Sequence, residues 1–153
     1  MSLIIDLCTD IAEALTAHEF SMKFTAHLEP VPRRDIQGVR KLEVFVFPDW
    51  ETRTRESRDL WTVDHAVNIG VMKHIELASR VEEVCKVMNL VDEITRFILD
   101  TRLPHVPQAQ PMRLNHQLNQ RPYYFWEHLQ QYSTFTSVLS VVYKAGIARY
   151  GRA

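Results

Sequence analysis

Residues 61–72 alternate with a period of two. Trp61, Val63, His65, Val67, Ile69 and Val71 fall on one side. Thr62, Asp64, Ala66, Asn68, Gly70 and Met72 fall on the other. Twelve residues of this pattern predict a strand with one buried face. After a short bend the period changes to that of a helix. Ser79 followed by Glu82 has the spacing of a capping box, and Val84, Cys85, Val87, Met88, Val91, Ile94 and Ile98 then recur at helical intervals as far as about Thr101. An earlier helix is predicted over residues 2–17, where Leu3, Ile4, Leu7, Cys8, Ile11, Ala14 and Leu15 are spaced by Asp6, Asp10 and Glu13. Phe20, Met22, Phe24, Ala26 and Leu28 alternate with polar residues and predict a first strand over 20–28. The near-continuous run Leu42, Val44, Phe45, Val46, Phe47 predicts a strand covered on both faces, by this chain or by a neighbouring one, and Pro48 closes it. The last strand is expected over 135–143, followed by a basic tail.

The segments between these elements are polar or proline-rich. Residues 29–40 form a wet connector with Pro30 and Pro32. Residues 49–60 read as a long charged loop in which Arg53, Arg55 and Arg58 are offset by Asp49, Glu51, Glu56 and Asp59 around Trp50. Long loops tend toward function or disorder. The ordinary reading here is a solvated loop; the sharper one is a hairpin tip that docks on a partner with Trp50 as its apolar anchor. Residues 104–122 form a Pro-rich arm with one candidate strand from Met112 to Leu118. The aromatic block Tyr123, Tyr124, Phe125 and Trp126 follows, as the start of a short helix through Gln131 or a wedge against the sheet. Strands grouped between helices predict an α+β fold: a mainly antiparallel sheet of four to five strands with two helices packed on one face. The whole chain, 1–153, is expected to be one domain.

Composition changes little in this picture. With 46% hydrophobic and 24% charged residues and a formal net charge of −1, nothing calls for nucleic acid or an anionic surface as partner. The charge is uneven, however. Residues 1–29 carry a net −4, and the three charges after Glu127 (Lys144, Arg149 and Arg152) give +3. Two differently solvated surfaces, or a head-to-tail contact between subunits, would both account for it. Cys8 and Cys85 fall on apolar helix faces and read as buried free thiols of a reducing compartment. No apolar run is long enough for a membrane span, and no signal-peptide pattern opens the chain, so assembly in the cytoplasm is expected.

A search for reactive groups returns little. The four glycines do not cluster, which excludes a phosphate-cradling loop. No G-x-S-x-G elbow is present. The seven histidines form no H-x-H, H-x-x-x-H or H-E-x-x-H pair, and there is no C-x-x-C. No Asp or Glu has Lys two residues on, so a nuclease-type metal motif lacks its lysine. Asp64 and His65 are adjacent on a strand and point to opposite sides. No catalytic residue, metal site or cofactor is therefore assigned.

The order of elements resembles the tail-terminator, or tail-completion, proteins of long-tailed bacteriophages (the minor tail protein U-like family). The residues that carry the resemblance are the N-terminal helix, the strand L-E-V-F-V-F-P at 42–48 and the charged excursion at 50–59. They continue with I-G-V-M-K at 69–73, the helix after Ser79, a variable arm and the final strand F-T-S-V-L-S-V-V-Y at 135–143. The resemblance implies a virion structural protein of the tail or neck, without enzymatic activity. It would form a ring, expected to be a hexamer, that caps the tail tube, stops its polymerisation and presents the head–tail joining surface. The implied partners are its own copies, the tail tube protein and a head–tail connector protein, with DNA passing through the lumen without sequence-specific contacts and no membrane involved. Trp50, Arg53, Arg55 and Arg58 become candidates for the subunit or tube contact. The 104–122 arm departs from the family pattern in length. Two alternatives stand beside this reading. One is another connector, a stopper or adaptor. The other is a small α+β enzyme or ligand-binding module with a site under the arm, lined by His116, Tyr123, Tyr124 and Trp126.

Overall fold

The computed structural model describes residues 3–29, 39–103, 110–114 and 123–148. In chain order the elements are α1 (Leu3–Ala17), β1 (Ala26–Leu28), β2 (Glu43–Arg55), β3 (Leu60–His74), α2 (Arg80–Asp100), β4 (Gln110–Leu114), α3 (Trp126–Tyr132) and β5 (Thr134–Ala148). A single 3₁₀ turn, Leu77–Ser79, leads into α2. The fold is α+β. Its sheet has the order β1-β2-β3-β5-β4, antiparallel except for the β1–β2 pair.

The core follows from the strand alternation. Val67, Ile69 and Val71 of β3 share a face with Val44 and Val46 of β2 and with Phe135, Leu139, Val141 and Tyr143 of β5. Leu7, Cys8, Ile11 and Leu15 of α1 and Val87, Leu90, Val91, Ile94 and Ile98 of α2 pack onto that face. Both long helices therefore cover the same side. At roughly 25 cal/mol for each Å² of apolar surface removed from water, these stripes supply the main force holding helices to sheet.

The opposite face is not open either. Phe45, Phe47 and Met72 are buried within the single chain, in a second cluster with Val39 and, at its margin, Val138. The 42–47 run is thus two-sided because its own chain closes both faces, and no neighbouring subunit is needed there. Ala66, Asn68 and Gly70 are buried on this side of β3, so the one-faced reading of 61–72 misses half of its burial. Asn68 is satisfied by its register partner: the Ser140 hydroxyl donates to its Oδ1.

Several boundaries differ from expectation for physical reasons. Only Ala26–Leu28 of the 20–28 segment pairs as strand, in parallel with β2. Phe20 instead stacks on Phe24 and meets His18 and Phe97 edge-on, with the His18 and Phe97 rings stacked 4.2 Å apart. The Ser21 hydroxyl donates to Glu93 at 2.5 Å. The aromatic alternation encodes a segment strapped across α2. The capping box does not form: Ser79 makes no side-chain cap, and Glu83 accepts from the Glu76 N–H at 2.9 Å instead. Cys8 is buried as expected, and burial pushes its thiol up to about 12, but Cys85 is exposed on α2. The arm strand is Gln110–Leu114, shifted toward the N-terminus, and His116 and Leu118 lie outside the described residues. The short helix of the aromatic block is present as α3. It ends at Ser133 in the left-handed conformation (φ 50°), whose N–H donates to the Leu129 carbonyl. β5 runs on to Ala148, through the first half of what reads as a basic tail.

Candidate functional site

The largest departure from expectation concerns the charged loop. β2 does not stop at Pro48, and the excursion is a paired ribbon. Glu51 pairs with His65, Thr52 with Asp64, Arg53 with Val63, Thr54 with Thr62 and Arg55 with Trp61. Only residues 56–59 turn the chain, closed by the Glu56 N–H and the Ser57 N–H on the Leu60 carbonyl. Every residue from 51 to 60 is exposed. β5 pairs along the other edge of β3 to the same end, with Ala148 opposite Leu60. A three-stranded blade therefore extends past the helix-covered core.

A bulge sets which side chains the blade presents. Pro48 opposes Val67 and Glu51 opposes His65, so Asp49 and Trp50 together face the single residue Ala66. One extra residue reverses the parity of everything after it. Before the bulge the even positions Val44 and Val46 face the helices; after it the odd positions Glu51, Arg53 and Arg55 take that side. The predicted contact residues are consequently separated in role. Arg53 and Arg55 share one face of a strand, Trp50 sits half-buried in the bulge, and Arg58 lies in the turn. The Arg53 guanidinium pairs with Glu51 at 3.0 Å, and Arg55 donates to the Ser57 carbonyl at 3.2 Å.

At the base of the blade lies His65, which its place on the apolar face of the strand leads one to expect as a hydrogen-bonded core or interface histidine. His65 is only 3% exposed, and neither ring nitrogen has a hydrogen bond. Its register partner on β5 is Tyr143, fully buried, with a hydroxyl that is also unpartnered. Burial pushes the Tyr143 phenol up, and nearby Cys8 adds to this. The Glu51 carboxylate lies beside His65, its Oε2 3.7 Å from Nδ1. Burial holds His65 below its ordinary value of 6.5; Arg53 pushes the same way, and Glu51 and Asp64 oppose. The expected burial is present and the expected hydrogen bond is not.

The sign of the resulting pH dependence follows. Below 6.5 the unfolded chain takes up a proton that the folded chain refuses. Stability is fully present above that value and declines as pH falls beneath it, by at most about 1.4 kcal/mol per pH unit for one group. His65→Leu should flatten this part of the profile. Urea unfolding midpoints of the two proteins across this range check it; identical slopes would remove His65 as the cause.

Other chemistry-bearing residues are not gathered. Among the described residues no group of three or more His, Cys, Asp and Glu is arranged to hold a metal ion, and no helix is long and apolar enough to cross a membrane. Of the residues expected under the arm, Tyr124 packs against Phe135 with ring centroids 5.3 Å apart, Tyr123 is exposed, and Trp126 lies under the Arg80 guanidinium at 5.5 Å. Tyr124 thus belongs to the core and Trp126 to a cation–π contact on the surface. No protein-family model matches the chain, and no curated protein is significantly similar to it.

Proposed function

We propose that this chain is a structural subunit of a bacteriophage tail terminator. In this reading its copies close into a hexameric ring on the end of the tail tube, end polymerisation, and offer the far side of the ring to a head–tail connector. The observation that carries the reading is the blade. A ribbon of ten consecutive exposed residues, 51–60, projects from a core whose two faces are already covered by its own chain. Such an element has little to contribute to the stability of one subunit and much area to offer another. The order of elements along the chain supports the same assignment.

The implied mechanism is geometric. Head-to-tail contacts between identical subunits close when the rotation between them closes. Trp50 is the apolar anchor at the base of the ribbon, and Arg53, Arg55 and Arg58 supply directional charge around it. The ring copies a tube subunit's interface on one side only, so growth stops, and DNA passes through without base readout. The reading assigns the chain no catalysis, and its place is the tail or neck of a virion assembled in the host cytoplasm.

Removing the protein from an infection should give overlong tails. A variant carrying Trp50→Ala with Arg53, Arg55 and Arg58 changed to Glu should fold, by its far-ultraviolet spectrum, yet fail to restore tail length. Tails of normal length that do not join heads would assign the chain to a stopper or adaptor instead. A chain that native mass spectrometry finds monomeric even with tail tubes present would overturn the ring.

A further inference from the structure

The outer edge of β2 is paired with β1 only opposite Val44, Phe45 and Val46. Among the described residues no strand pairs with that edge beyond this point. Residues 51–55 are exposed, so a row of backbone donors and acceptors faces solvent there. Edges of this kind either are protected against pairing or are used for it. The order of charges along this edge distinguishes the two.

From Glu51 to Arg55, past the bulge, the edge reads Glu, Thr, Arg, Thr, Arg. About Thr52 it is self-complementary. In the regular ladder after the bulge, Glu51 mirrors Arg53. We propose that two copies of this chain associate through the exposed β2 edge, antiparallel, about a two-fold axis through Thr52. The contact would place each Glu51 opposite the partner's Arg53.

Register selection follows from side-chain alternation. A two-fold axis perpendicular to a continuous sheet keeps each side chain on its own face, so paired positions must have the same parity. This leaves axes that pass through a residue. An axis through Arg53 sets Arg53 against its own copy, and one through Glu51 sets Glu51 against its copy. An axis through Thr54 sets Arg53 against Arg55, and Trp50 lies in the bulge, outside the regular ladder. Like charges directly opposite are destabilising. Of these registers, Thr52 alone has no like-charge pair. Glu51 and Arg53 already meet within one strand, so the axis turns two such pairs into a ring of four alternating charges. The contact spans few residues from each copy, which places it among weak interfaces.

A two-fold contact closes on itself and cannot build a ring. The inference concerns the same ribbon as the ring-cap reading but does not rest on it, and the two fail separately: this one in the free chain, that one in tail length.

The test uses the full chain with Cys85→Ala, which leaves only the buried Cys8 thiol. In the proposed register the two copies of residue 52 are direct partners, with Cα atoms about 4.5–5.5 Å apart, within disulfide reach. Thr52→Cys should therefore cross-link to a covalent dimer under mild oxidation. Copies of residue 54 lie about 13 Å apart, and Thr54→Cys should not cross-link. In sedimentation, Glu51→Arg should weaken the non-covalent dimer about tenfold or more, and the swap Glu51→Arg with Arg53→Glu should restore it. Preferential cross-linking at 54, no cross-linking at 52, a swap that does not rescue, or a monomer throughout the concentration series would each overturn the proposal. The last of these would leave the edge to a strand from another protein.

Discussion

Phe135→Ala is expected to lower the unfolding free energy by about 3–5 kcal/mol, the range for removing a buried aromatic ring from a packed core. Phe135 opens β5, is fully buried and sits where three elements converge. It faces Tyr124 in front of α3 and shares the main core with Leu129 of α3 and Ile98 of α2. Its backbone is held opposite Lys73 in the long β3–β5 ladder, so the strand cannot move in to close the space. Urea unfolding at constant slope would measure the loss. A loss below about 1 kcal/mol would mean that Tyr124 swings into the vacated volume. This variant is also the natural control for the blade: it damages the core and leaves every residue of 51–60 in place.

Gly70→Ala should cost about 1–3 kcal/mol, although alanine normally outperforms glycine inside a strand. The reason is the ring of Phe45, Gly70's register partner on β2. A Cβ built on Gly70 would lie 2.5 Å from Phe45 Cζ and 2.6 Å from Cε2. The Phe45 ring would have to move, and it is buried and stacked on Phe47 with centroids 5.7 Å apart. The same alanine placed in a Phe45→Ala background should be neutral or stabilising, because the obstructing ring is gone. A double-mutant cycle would then give a coupling of about 1 kcal/mol or more between the two positions. Additive costs would show that Gly70 is retained for its backbone and not for the ring above it.

How much of this was legible in the sequence depended on whether burial imposed the pattern. The two long helices and the strand at 61–72 were readable because one side of each meets the core, and the apolar residues keep time with the backbone period. The class of fold, α+β with a mainly antiparallel sheet, followed from their order. The ribbon from Glu51 to Arg55 was not readable as strand, because both of its faces are exposed and its alternation is between charged residues and threonines. Charge at every second position looks like loop when nothing buries the positions between. The opposite error occurred at Phe20, Met22 and Phe24, where a period of two came from a segment lying on α2 and not from a ladder. The bulge left no mark at all: Asp49 and Trp50 are ordinary residues, and only pairing with β3 reveals that one of them is extra. For the same reason the candidate contact residues could be named but not sorted between strand, bulge and turn.

The β3–β5 ladder also bears on how the chain reaches its fold. β2 and β3 are joined by four residues, and their ribbon can close at small entropic cost. β3 and β5 are joined only after the chain has travelled from His74 to Thr134, through α2, the arm and α3, and their paired residues are separated in sequence by up to the distance from Leu60 to Ala148. Pairings of such high sequence separation are slow to form. During synthesis the second edge of β3, its most apolar stretch included, therefore has no β5 to meet until α2, the arm and α3 have been made. That edge is exposed to false pairing throughout this interval, and is protected from it once the fifteen residues of β5 are placed.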